Sequence, residues 1–261
     1  MTTITELYRE RCTKTTDDRY IPKYWNPPVV ERRPYTLRGD ALRPCHPNWG
    51  VHEVIQRILA LGLELELPVG QFVSEHLQGV EDQSLKLLLK SNIADEARHH
   101  RGIELAVESY PLTDEAKSGA KLMASFWQDR TDSPILLAAA LEIGVFLSSL
   151  AALRLFGGSS LALMADGISR DEYRHASVNR MLVTMAELDL MDVWDLVEET
   201  ITWVFDKLNI PASELGVTID VALFKRSANE LMISGEAKEL DDLVNYANHL
   251  LPFEISNDRL Y

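Results

Sequence analysis

Two short segments of this chain echo each other: Asp95-Glu96-Ala97-Arg98-His99 and Asp171-Glu172-Tyr173-Arg174-His175. Each carries a glutamate and, three residues on, a histidine. In a helix, residues three apart point the same way. Glu96 with His99, and Glu172 with His175, would each aim a carboxylate and an imidazole at one point. Oxygen donors mixed with imidazole suit iron or manganese. Structural zinc takes fewer ligands and often thiolates, and the two cysteines, Cys12 and Cys45, form no Cys-x-x-Cys pair. In the competing reading these side chains are solvated or paired with Arg98 and Arg174. A single Glu-x-x-His is common on solvated helices; two copies, both deep inside helical patterns, favour the metal reading.

A site for two metals needs a carboxylate from each of two further helices, to bridge and to balance charge. Glu142 is the only acid between Ser133 and Ala165. A carboxylate buried alone is costly, so this one calls for a metal, a cation or a proton. Glu66 lies on the apolar face of an earlier helical stretch. Its neighbour Glu64 is the alternative, but the face of Glu64 also carries Gln71 and Glu75 and is the more polar. The expected ligands are therefore Glu66, Glu96, His99, Glu142, Glu172 and His175. Four carboxylates and two histidines on four helices are the ligand set of ferritin-like carboxylate proteins, with a dinuclear centre of iron, manganese or both. The expected fold class is all-α: a ferritin-like four-helix bundle core with additional helices.

The elements that must hold these ligands are legible in the pattern. Apolar residues at helical spacing predict a helix over Trp49 to Leu77, with a possible bend at Pro68 and an end near Gly79. A second runs from about Asp82 to Tyr110, stopped by Pro111, and a shorter one from Thr113 to Gln128. Ser133-Pro134 reads as an N-cap and first helical residue, opening an apolar helix that lasts to Gly157-Gly158. Further helices are expected over Ser159 to Leu188, Asp192 to Leu208, Leu215 to Ser234 and Ala237 to Leu250. Residues 1–48 hold six prolines and read as an irregular arm. Residues 49–250 form the helical domain, and 251–261 a tail. No strand alternation of useful length appears.

The formal net charge is −14, a surface that repels phosphate backbones, so no nucleic-acid partner is expected. The first fifteen residues contain acids and lack an apolar run, which does not read as a signal peptide; a cytoplasmic location is the expectation. Pro134 to Phe156 is long enough to span a bilayer, but Glu142 sits near its centre at a cost of roughly 2.5–3.5 kcal/mol in lipid. A helix buried inside a bundle is the better reading, with no membrane partner.

Arg170-Asp171-Glu172-Tyr173-Arg174-His175 resembles the Arg-Asp-Glu-x-x-His run of the radical-generating small subunit of class I ribonucleotide reductase. Glu142-Ile143-Gly144-Val145-Phe146 is similar to that family's third-helix segment, and Tyr24-Trp25-Asn26-Pro27 to its aromatic-Trp-x-Pro segment. The resemblance spans roughly residues 20–190. It implies the six ligands above, with Asp171 accepting a hydrogen bond from a ligand histidine, His99, and linking it to Trp25 as the first leg of an electron path. It also implies a homodimer and a large catalytic subunit as partner. That partner reduces ribonucleotides to deoxyribonucleotides for DNA replication, with Tyr246 and Tyr261 as candidate relays near the C-terminus. One departure stands out. The family places its radical tyrosine one turn past the first motif histidine, and here that position is Ile103. Either the metals hold the oxidising equivalent, or another residue such as Tyr173 does. Two other functions compete: a stand-alone oxidase or oxygenase on a small or lipid-like substrate, and a non-enzymatic metal-binding helical protein.

Overall fold

The computed structural model describes residues 49–212 and 216–250, so Trp25, Tyr261, the proposed arm and the proposed tail lie outside the described residues. Tyr246 falls within the last helix, but its side chain is outside the description. The chain between is helical almost throughout. Helix α1 covers Trp49–Leu77, α2 Gln83–Ser109, α3 Asp114–Gln128, α4 Pro134–Ala140, α5 Leu147–Phe156 and α6 Gly158–Met185. A π-helical turn, Leu141–Phe146, joins α4 to α5. After a 3-10 turn, Leu190–Val193, come α7 Trp194–Phe205, α8 Val221–Ser234 and α9 Lys238–Leu250.

Local chemistry sets the starts and stops. Asp82 caps α2 by accepting from the Leu85 amide at 2.8 Å, and Thr113 caps α3 by accepting from Ala116 at 3.2 Å, each satisfying an amide that the helix leaves open. Helix α1 runs unbroken through Pro68. Gly235, at φ 84°, closes α8 in the left-handed conformation that glycine adopts freely. Ser133 differs from expectation. Its side chain makes no capping bond; its carbonyl instead accepts from the Leu136 and Leu137 amides at 2.9 and 3.1 Å. The helix expected from Leu215 begins only at Val221. Before it, Ile219–Asp220 pairs antiparallel with Asn209–Ile210, and Asp220 then caps α8.

Four segments close a ring: α1 packs on α2, α2 on α6, α6 on the α4–π–α5 segment, and that segment on α1. This is the four-helix core that the sequence leads one to expect. The apolar segment from Pro134 to Phe156 passes through the middle of the molecule, and its most apolar stretch is wholly buried by protein. Helix α3 lies against α1 and α7, while α7, α8 and α9 cover the outer side of the π turn and α5. Gly144 in the turn permits that close approach: a Cβ there would stand 2.8 Å from Val197 on α7.

Candidate metal centre

The ring brings the six expected side chains together at its centre, and every one is buried: Glu66, Glu96, His99, Glu142, Glu172 and His175 are each at most 3% exposed. Glu64 is half-buried and joins neither group, so of the two candidates on α1 it is Glu66 that faces the cluster. The side chains form two overlapping groups that could hold metal ions. One is Glu66, Glu96, His99 and Glu172; the other is Glu96, Glu142, Glu172 and His175. Within each group the donor atoms lie within 4.8 Å of one another.

The distances assign positions. His99 Nδ1 is 3.1 Å from Glu172 Oε1, 3.4 Å from Glu66 Oε2 and 3.6 Å from Glu96 Oε2. His175 Nδ1 is 2.9 Å from Glu96 Oε1, 3.8 Å from Glu172 Oε2 and 3.9 Å from Glu142 Oε1. Glu96 and Glu172 thus offer one oxygen to each group and are placed to bridge. Glu66 and Glu142 each serve one group only. This corrects the expectation that the lone carboxylates of the other two helices would bridge: the glutamates of the repeated motifs lie between the imidazoles, and Glu66 and Glu142 lie at the ends.

The donor set fits two cations. Glu66 Oε2, both oxygens of Glu96 and Glu172, Glu142 Oε1 and His175 Nδ1 are buried without a hydrogen-bond partner. Buried polar atoms are almost always satisfied, so a cluster of lone pairs converging on two points calls for positive charge there. Donors around one octahedral ion with bonds of about 2.1 Å stand roughly 3 Å apart, close to the shorter spacings seen. Four carboxylates also balance two divalent ions.

Around this set runs a symmetric network. His99 Nε2 is 3.4 Å from Asp171 Oδ2, and His175 Nε2 is 3.4 Å from Asp95 Oδ2. The aspartate of each motif therefore holds the histidine of the other. Such an acceptor fixes the ring so that Nδ1 faces inward. The link from Asp171 to His99 is the one the resemblance implies. Asp95 was missed, although the repeat itself carried the signal, because Asp95 stands to Glu96 as Asp171 does to Glu172. The arginines bind the two aspartates. Arg98 bonds both Asp95 and Asp171, and Arg174 bonds Asp171. Tyr173 lies on the outer side of α6, 44% exposed and beside Asp241 of α9, apart from the ligand cluster. Ile103 is buried near Glu66 and lines, with Gly62, Phe146 and Ser149, a cavity of about 20 Å³.

Protons occupy this charge-rich site when metal does not. Burial pulls the His175 imidazole down, but the Asp95 and Glu96 carboxylates outweigh it and push it up to about 10. His99 is likewise raised well above its usual value, burial being overcome by Glu172, Glu66 and Glu96. Burial lifts Glu66, Glu142 and Glu172 above the carboxylate range. Glu96 faces the same burial, yet His175 and His99 hold it below that range. Raised groups bind protons more tightly folded than unfolded. Their stabilisation is present below the unfolded pKa and is lost as pH climbs toward the folded one. For the carboxyls this loss starts above about 4.5, and for His175 it runs from about 6.5 to about 10. Glu96 acts oppositely, but its contribution is already complete above about 4.5. The metal-free chain should therefore lose at least about 2 kcal/mol between pH 6.5 and pH 9.5. Manganese should bind more tightly over the same range, since ligands must shed protons to bind. Denaturant midpoints of metal-stripped protein across this window check the sign; a flat or rising profile would contradict it.

No protein-family model matches the chain, and no curated protein matches it. Among solved structures, a protein from Bacillus halodurans provisionally named a class I ribonucleotide reductase aligns over 93% of this chain and 92% of its own, at 16% sequence identity and a TM-score of 0.48. A likeness of that size leaves the function to be read from this chain's own residues.

Proposed function

We propose that this chain is a dimetal oxidoreductase, and more specifically the radical-generating small subunit of a class I ribonucleotide reductase. The observation that carries the first part is the pair of buried ligand groups sharing Glu96 and Glu172. The second part is supported by the Arg-Asp-Glu-x-x-His run together with the contact of Asp171 with His99. Two iron or manganese ions bound here would supply reductive activation of oxygen and a strong oxidant.

The chain's own residues would do the rest. Glu66 and Glu142 would hold one ion each, Glu96 and Glu172 would serve both, and His99 and His175 would complete the two sets. The buried apolar walls exclude water. Asp171 keeps the His99 ring oriented and accepts from its Nε2–H, and Trp25 would carry an electron inward from the surface past this pair. Tyr246 and Tyr261 would relay the oxidising equivalent to the large catalytic subunit of a cytoplasmic enzyme assembled around a homodimer. Ile103 has no phenol to oxidise, and Tyr173 lies apart from the cluster on the outer side of α6.

The test is to load the chain with iron, with manganese or with both, expose it to oxygen, and mix it with the large subunit from the same source. Deoxyribonucleotide formation that falls at least tenfold in Trp25→Phe is the expected result. No product with any loading would overturn the specific reading and leave an oxidase acting alone. That alternative needs room for its substrate. The cavity beside Glu66 admits about one water-sized molecule, whereas drug-sized ligands occupy roughly 300–1,000 Å³. A lipid co-purifying with the chain would nevertheless favour it.

A further inference from the structure

Glu142 is fully buried and, like Glu66, serves one ligand group only, but its outer oxygen has a donor of its own: Asn179 Nδ2 donates to Glu142 Oε2 at 2.6 Å. Asn179 is also fully buried and lies one turn beyond His175 on α6, so one helix face carries a ligand imidazole and the amide that touches another ligand. Glu142 sits in the π turn. A π turn carries one more residue per turn than an α-helix, and π turns gather at functional sites.

The rest of the surroundings offer little. The flanking residues Leu141, Ile143, Gly144 and Val145 are apolar and buried. The amide is the hydrogen-bond donor to Oε2, while Oε1 has no hydrogen bond and faces His175 Nδ1. We infer that Asn179 is the positioning residue of the second metal: by holding Oε2 it presents Oε1 alone to the ion shared with His175, Glu96 and Glu172. The contribution has two physical parts. A hydrogen bond to a charged, buried oxygen stabilises it in the bound state. A carboxylate held at one oxygen cannot rotate out of line. Partners of this kind are worth about 10–100-fold in metal affinity.

The inference rests on the metal reading of the cluster, and one titration separates the two. Wild type, Asn179→Leu and Asn179→Asp are stripped of metal and titrated with Mn(II) alone, followed by elemental analysis and electron paramagnetic resonance. Leucine repeats the branching of asparagine with bulkier methyl groups and no donor; aspartate has the shape without the donor and adds like charge. Wild type should bind both ions and show the broadened spectrum of a coupled pair. Asn179→Leu should lose about 10–100-fold for one ion only, and at intermediate manganese should show the resolved hyperfine lines of an isolated ion. Asn179→Asp should lose more. Affinity for both ions equal to or tighter than wild type would overturn the inference, as would equal weakening of both. A wild type that binds no manganese would instead overturn the metal reading itself.

Discussion

Replacing Glu172 with glutamine should cost the chain both of its metal ions. Its Oε1 is 3.1 Å from His99 Nδ1 and its Oε2 is 3.8 Å from His175 Nδ1, so the side chain belongs to both ligand groups. An amide has the same shape, but one of the two positions becomes a nitrogen with no lone pair to offer, and the negative charge is gone. The loss should exceed the 10–100-fold typical of a residue that only orients a ligand. Glu142→Gln should weaken one ion and leave the group around His99 standing. The effect on stability follows by mass action. A ligand present at a thousand times its dissociation constant stabilises the folded state by about 4 kcal/mol, so metal should raise the wild-type melting temperature steeply and leave Glu172→Gln almost unmoved. The metal-free variant should also lose less stability with rising pH than the wild type, since one carboxyl held above its usual range has been removed. Elemental analysis with paired melts, with and without manganese, reads all of this. A glutamine variant that keeps both ions would show that Glu172 is not a ligand.

What made this centre legible was spacing. Glu-x-x-His on a helix fixes two donors on one face whatever surrounds them, and Glu142 announced itself as an acid in a stretch with no other. The bounds of α1, α2 and α3 followed from Asp82, Thr113, Pro111 and the end of the apolar pattern, which act locally. What was not legible depends on distant contacts. Which carboxylates bridge is set by how four helices converge, and nothing in the sequence near Glu66 or Glu142 records it. The π turn leaves no pattern, because the residues on either side of Glu142 are apolar and fit any helical period. Asn179 has no local peculiarity; it matters because Glu142 comes within 2.6 Å across the bundle. The strand pair before α8 is two residues long on each side, too short for alternation to register.

The largest effect on folding should come from a residue outside the ligand set. Arg98 Nη2 donates to Asp95 Oδ1 at 3.1 Å and also bonds Asp171, and those two aspartates hold the two ligand histidines. The three side chains are 18%, 8% and 5% exposed, so solvent screens them little. Arg98→Met keeps the stem of the side chain and removes the cation. Asp95 keeps its contact with His175, and Asp171 those with His99 and Arg174, but the two acids lose the cation they share. Removing one partner of a buried pair costs about 3–5 kcal/mol, far above the roughly 0–1 kcal/mol of an exposed one. Adding Asp95→Asn should recover part of the loss, because one of the two neighbouring acids that shared the cation loses its charge. The cycle of the two substitutions should therefore show a coupling above about 1 kcal/mol in denaturant unfolding of the metal-free chain. Additive losses would mean that Arg98 acts through packing rather than charge. Metal affinity distinguishes the network from simple stability: with both histidine acceptors disturbed, both ions should weaken together, whereas Asn179→Leu weakens one.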